Sequence, residues 1–478
     1  MTDGTRRFSL RNGARLLWGL TLLTLPVTSF RYFPAGDDTY VRPLAFYPLA
    51  LLCLILILQV ARKEVTLPPV PALTPLIAFL LVALIATAMG ILLAPVPLRG
   101  QQVLGRTIRA WATVFVGLGF LLAAVWMNRT EEDLKWSIRW LLAGFVVDVV
   151  WSGVQAATFY LNVLPKPVVT HWQRAFSMRE LIRINRISGM AYEPSWLAGQ
   201  ISTIYVPWLL AALLTGIRVS RSRWLEPGLL GVALLLLLGT YSRGGILTAA
   251  FAAAGTLLLV GQSQIRLAWN WFGSGIARSR ALLVRLGVVF LCIALAAGTV
   301  LFLAQKSYVA RLWNTRVSSL SDFLIQNSAG ARAAYAWGAL SAYNDHPWLG
   351  VGLGASGLYI YSGLPDWALT TVPEIARQLS PTNALYPNPK NLYVRLLAET
   401  GLIGFVLFMA FLFHILGDTL AALRQGVPRW RYLGIAALFT WLALFAYNMT
   451  QDSFAIPNLW INFGILAGMV GTGTGSGS

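Results

Sequence analysis

The sequence predicts an all-α polytopic membrane protein with about twelve transmembrane helices and one mainly helical extramembrane segment. Of 478 residues, 57% are hydrophobic and only 12% charged, and the mean hydropathy is +0.64. No water-soluble fold of this size hides so much apolar surface. Apolar runs recur at roughly the 17 to 25 residues that a helix needs to cross hydrocarbon. One long polar stretch, from about Gln305 to Lys390, interrupts them.

The expected spans begin with Leu16 to Phe30, Pro43 to Ala61, Leu73 to Ala94, Ala110 to Asn128, Trp140 to Leu164 and Trp196 to Gly216. They continue with Leu225 to Tyr241, Gly244 to Gln262, Leu286 to Leu303, Leu392 to Leu416, Leu433 to Tyr447 and Phe454 to Val470. The first run has no small-residue cleavage site and is followed by many more spans, so it is expected to stay as an anchor. The organisation is residues 1–304 as helices one to nine, 305–391 as the polar helical segment, 392–470 as helices ten to twelve, and 471–478 as a flexible Gly/Ser/Thr tail.

Clusters such as Arg6, Arg7, Arg11 and Arg15, then Arg62 and Lys63, then Arg218, Arg221 and Arg223 flank alternate turns. The positive-inside rule therefore puts both termini in the cytoplasm and the long segment outside. Sorting by that rule leaves about half of the 37 Lys and Arg on the outer face. Arg106 after the third helix, Arg183 and Arg186 in the loop after the fifth, and Arg243, Arg332, Lys390 and Arg395 form an anion-attracting surface there. Contact with anionic headgroups explains the same charges more simply.

Within the long segment, Val309, Leu312, Trp313, Val317, Leu320 and Leu324 recur at helical spacing and predict an amphipathic helix. Ala331 to Tyr343 predicts a second helix, ended by Pro347. Gly350, Gly352, Gly354 and Gly357 mark a closely approached turn, Pro373 starts a short third helix, and Pro381, Pro387 and Pro389 stiffen the return.

Arg243 sits in the tight turn Tyr241-Ser-Arg-Gly-Gly245, where a fixed guanidinium suits a diphosphate and its neighbouring glycines admit a ligand; snorkelling to headgroups is the structural alternative. Arg332 opens a helix, the unfavourable end for a cation unless an anion compensates. Glu193, in Tyr192-Glu-Pro-Ser195, is a boundary carboxylate among cations, either a general base or the ion partner of Arg183 or Arg186. Ser195 is placed to cap the next helix. His346, one of three histidines, is a candidate base or a structural His-Pro turn. Asp148 is the one acidic residue well inside a span. Cys53 and Cys292 fall in apolar runs and read as packing residues. No metal-ligand spacing or nucleotide loop occurs, so no metal, cofactor or nucleic-acid partner is expected.

Taken together, the helix count, the large outer loop between the ninth and tenth helices, Ser242-Arg-Gly, Gly330-x-Arg332, His346-Pro-x-x-Gly-x-Gly and Asn391 to Gly404 resemble the O-antigen ligase and polymerase superfamily. The family's ligase-type motif is a histidine, then Asn, Ser or Gln, nine free residues and Gly-x-x-Gly. Asn391 and Gly401-Leu-Ile-Gly404 fit it, with Lys390 in the histidine's place. The resemblance implies a C-type glycosyltransferase-like fold and transfer from an undecaprenyl-diphosphate-linked polysaccharide to lipid A-core, at the periplasmic face of a bacterial inner membrane. No cofactor, nucleotide sugar or metal is implied. Arg243 and Arg332 match the family's functional arginines, and Lys390, His346 and Glu193 are the candidate bases. Tyr192-Glu-Pro-Ser195 is similar to polymerase-like members, so a polymerase with the same donor is the alternative; a transporter of lipid-linked sugar or another anion is a second.

Overall fold

The computed structural model describes residues 2–33, 39–65, 69–98, 100–181, 185–262, 266, 267, 269–271, 282–287, 290, 329–380 and 386–473, with side chains from residue 11. The described part is helical, without a sheet. Its first ten helices are α1 (Thr2–Leu23), α2 (Phe46–Ala61), α3 (Leu73–Leu92), α4 (Val103–Met127), α5 (Glu131–Tyr160), α6 (Lys166–Arg174), α7 (Pro194–Gln200), α8 (Val206–Thr215), α9 (Leu225–Gly239) and α10 (Arg243–Val260). The polar segment holds α11 (Gly330–Asp345), α12 (Gly357–Ile360), α13 (Trp367–Thr371) and α14 (Pro373–Gln378), and the chain ends in α15 (Leu392–Arg424), α16 (Pro428–Tyr447) and α17 (Ile461–Gly473).

Among the described residues, seven helices, counting Pro194–Thr215 as one, are long and apolar enough to cross a membrane, and α2 and α9 are shorter apolar helices. Eleven of the twelve expected spans overlap a named helix, and the described residues of the ninth, Leu286, Gly287 and Phe290, are helical as well. The remainder of the ninth span, Cys292, the expected amphipathic helix from Val309 to Leu324, Pro381 and Arg183 lie outside the described residues.

Local chemistry sets the boundaries. Thr130 caps α5 by accepting from the Asp133 N–H at 3.2 Å, and Glu131, Glu132 and Asp133 oppose the positive end of the helix dipole. The indole of Trp18 donates to Ser137 Oγ at 2.9 Å, tying α1 to α5 inside the core. The span expected as one helix from Trp196 to Gly216 is instead interrupted by a π-turn at Ile201–Tyr205. Pro207 has no N–H for the Thr203 carbonyl. Asn462 Nδ2 satisfies that carbonyl at 2.9 Å, while Asn462 Oδ1 accepts from the Trp208 indole at 2.9 Å. Likewise the last span begins at Ile461 rather than Phe454, because Pro457 starts a short 3-10 turn, and α17 carries on to Gly473 where a tail was expected.

The segment after α11 is fastened to one end of the bundle by its glycines. Gly350, Gly352 and Gly354 have φ of +67°, +92° and +83°. A Cβ at each would strike a different helix: at 350 the Ala398 carbonyl oxygen of α15 at 2.6 Å, at 352 the Ala86 oxygen of α3 at 3.1 Å, and at 354 the Arg106 oxygen of α4 at 2.6 Å. Gly401 breaks α15, with φ +64° and ψ −169°. The Val351 and Gly352 N–H groups donate to the Ala398 and Glu399 carbonyls at 2.9 and 3.0 Å, and Leu402 N–H donates to the Pro347 carbonyl at 2.7 Å. The backbone groups released by the break are thereby re-satisfied. A small core of Ala334, Tyr335, Ala339, Val351, Ile360 and Ile375 seals the segment from within.

Candidate active site

The site lies where α7, α10, α11 and α15 begin and α9 and α16 end. Loop 185–193 carries two of its charged residues and is held by buried side chains of α5. Gln155 Oε1 accepts from the Ser188 and Gly189 N–H groups at 3.0 and 2.9 Å, and Asp148 Oδ1 accepts from Met190 N–H at 2.7 Å. Asp148, singled out for its place inside a span, is therefore a backbone clamp.

Glu193 occupies the cap position of α7 and is half-buried. Ser195 does not cap the helix with its side chain; its Oγ–H donates to Glu193 Oε2 at 3.0 Å. Arg179 lies in electrostatic reach of Glu193, donates to the Tyr192 carbonyl, and stands over the Tyr192 ring at 5.8 Å. Burial lowers the Arg179 guanidinium from its ordinary value, and the Glu193 carboxylate opposes that shift.

Arg186 donates from Nε to the Thr240 carbonyl at 2.8 Å and from a terminal nitrogen to the Tyr241 carbonyl at 3.2 Å, opposing the negative end of α9. It joins the Glu193 loop to the turn holding Arg243. Ser242 caps α10 by accepting from Gly245 N–H at 3.3 Å, which puts Arg243 in the first helical turn, half-buried. A Cβ on Gly245 would lie 2.4 Å from Ala198 Cβ, so this glycine lets α10 enter directly against α7.

Arg332 is exposed in the first turn of α11. The Tyr447 phenol at the end of α16 lies in electrostatic reach of both Arg332 and Glu193. Lys390 has φ +53°, a left-handed conformation fixed by its own N–H donating to Asp452 Oδ2 at 2.9 Å. Its Nζ is 3.7 Å from Glu374 Oε1 and 5.0 Å from the centre of the Tyr335 ring, one turn along α11 from Arg332. Glu374 and Tyr335 are bridged by Gln378, with contacts of 3.0 and 2.7 Å.

Two candidates stand apart. His346 ends α11 at the opposite end from Arg332, roughly 20 Å away at 1.5 Å per residue. Arg106 stacks on Tyr386 at 3.7 Å and lies in reach of Arg395 and Glu399, in a network that meets the Lys390 backbone through Asp452. There Arg395 Nε donates to Glu399 Oε2 at 2.9 Å, Ser356 Oγ donates to Glu399 Oε1 at 2.8 Å, and Arg395 also donates to the Asp452 carbonyl at 2.6 Å. Burial raises the Asp452 carboxyl from its ordinary value against the pull of Arg395. Among the described residues no three His, Cys, Asp or Glu side chains converge as metal ligands.

Residues 228–409 match the family model described as O-antigen ligase, a stretch that includes Arg243, Arg332, Lys390, Gly401 and Gly404. Over this region the chain is similar to the O-antigen ligase superfamily. No curated protein matches it. The superfamily's members are glycosyltransferase-like ligases and polymerases acting on lipid-linked polysaccharide in a membrane.

The superfamily motif has a physical reading here. Asn391 caps α15 by accepting from the Tyr393 and Val394 N–H groups at 3.0 and 3.2 Å. Gly401 supplies the break, and a Cβ on Gly404 would come within 2.3 Å of Thr400 Oγ1. Glu374, Asp452 and Tyr447 were not expected in the site. Only the Arg395 and Glu399 pair carried a sequence signal, the i,i+4 spacing of opposite charges on a helix.

Proposed function

We propose that the chain is an O-antigen ligase, transferring polysaccharide from undecaprenyl diphosphate to lipid A-core at the periplasmic face of a bacterial inner membrane, with both termini cytoplasmic. The observation that carries this reading is that the Glu193 carboxylate and the Arg332 guanidinium both lie within electrostatic reach of one phenol, that of Tyr447. Direct transfer needs both charges: cations for the leaving diphosphate and a base for the attacking hydroxyl.

In this scheme Arg243, Arg332 and Arg186 form the donor side. Bidentate guanidinium contacts hold the diphosphate and stabilise the charge that develops as the anomeric C–O bond breaks. Glu193 takes the acceptor proton. Lys390 beside Glu374 is an ammonium and belongs to the donor side; His346, a helix length away, is outside the scheme. Attack from the Glu193 side inverts the anomeric centre.

The test is a reaction of the purified chain with undecaprenyl-diphosphate-linked polysaccharide and lipid A-core. Glycosylated lipid A-core is the expected product. Lengthening of the donor chain alone assigns the polymerase instead, and flux across vesicles without any new glycosidic bond overturns the enzyme reading.

A further inference from the structure

Tyr447 belongs to none of the motifs above. It is 7% exposed, and the tip of its ring packs against α7 where residue 199 is glycine. A Cβ on Gly199 would come within 2.4 Å of the phenol Cζ and 2.5 Å of its oxygen, so a side chain there would evict the ring. The phenol is thus held in place within electrostatic reach of two opposite charges brought from different elements, Arg332 of α11 and Glu193 of α7. It also lines a narrow crevice with Trp196, Gln200 and Asn458. Gln200 donates its amide hydrogen to the Leu25 carbonyl at 2.8 Å and Asn458 to Thr203 Oγ1 at 2.9 Å. The carbonyl oxygens of those two buried amides have no hydrogen-bond donor among the described residues, so the wall beside the phenol carries unused acceptors.

We propose that Tyr447 is a catalytic residue of the transfer reaction, its neutral phenol donating a hydrogen bond to a diphosphate oxygen of the departing donor. The inference rests on the ligase reading above. The new bond joins the acceptor oxygen to the anomeric carbon, and the bond between that carbon and the phosphate oxygen breaks. Its electron pair leaves with the diphosphate, and the acceptor proton passes to Glu193. No proton leaves Tyr447: an unperturbed phenol ionises near pH 10, whereas a carboxylate is already a base at neutral pH. The phenol acts as an oriented dipole whose hydrogen bond strengthens as charge builds.

The full-length chain in lipid nanodiscs is assayed with undecaprenyl-diphosphate-linked polysaccharide and lipid A-core. Tyr447→Phe keeps the ring on Gly199 and removes one donor, so kcat falls by about 100-fold. The donor KM and the melting temperature stay unchanged. Gly199→Ala in the wild-type background lowers kcat by displacing the ring, but costs nothing further in the Tyr447→Phe background. Wild-type kcat in Tyr447→Phe, or a loss that tracks a fall in melting temperature, overturns the assignment. A wild-type chain that lengthens the donor without touching lipid A-core overturns the ligase reading only, and the same variants are then compared on lengthening.

Discussion

Replacing Glu193 with Gln isolates the proton-transfer role, because the amide keeps nearly the same shape and can still accept the Ser195 Oγ hydrogen bond of 3.0 Å. A positioned general base contributes about 10² to 10⁴ in rate, or about 2.7 to 5.5 kcal/mol of barrier at 1.36 kcal/mol per decade. Stability is expected to change by less than about 1 kcal/mol, since the charge lost is half-buried and near a guanidinium that also holds the Tyr192 carbonyl. The assay compares initial rates of lipid A-core glycosylation at saturating donor, alongside thermal unfolding of the same preparations. His346→Ala is the matched control and should stay within about twofold of wild type, given a separation from Arg332 of roughly 20 Å along α11. Glu193→Gln with more than a tenth of wild-type rate, or His346→Ala with an equal loss, would refute the assignment of the base.

Two further substitutions test neighbouring claims. Lys390→Met removes the ammonium beside Glu374 and over Tyr335 and should raise the donor KM by about tenfold with a smaller effect on kcat; a large fall in kcat at unchanged KM would make the lysine the base. Gly401→Ala meets a backbone at φ +64° and the Trp348 carbonyl carbon at 2.3 Å, so strain and overpacking together should cost about 2 to 6 kcal/mol. An unchanged melting temperature in detergent would show that the break does not depend on glycine.

Helix positions were legible because hydrocarbon leaves the backbone one economical solution, and an apolar run of the right length advertises it. The failures occur where buried polar groups override hydropathy. The π-turn before Pro207 and the late start at Ile461 depend on Asn458 and Asn462, whose bonds to Thr203 no pattern of hydropathy predicts. Arg186 and Arg243 were legible as boundary charges, but not that Arg186 would spend two of its donors on the end of α9. His346 was weighed by chemical type, which carries no information about distance along α11. Tyr447 was invisible for a different reason. An aromatic residue at the end of a span looks like an interfacial anchor, and only the glycine facing it from α7 shows otherwise.

The same contrast explains why a lysine can stand where the superfamily usually has histidine. From Asn391 onward the motif is architectural: the asparagine caps α15, Gly401 breaks it, and the exposed carbonyls receive Val351 and Gly352 from the glycine loop. None of these contacts involves the side chain at 390. Its backbone is held independently by Asp452, which leaves the side chain to be chosen for what it presents to the site. On the proposed reading, lysine there adds a cation beside Tyr335 of α11, and a carboxylate on another element, Glu193, takes the acceptor proton. Substitution at 390 should therefore alter donor binding and leave the fold intact, whereas substitution at 401 should do the reverse.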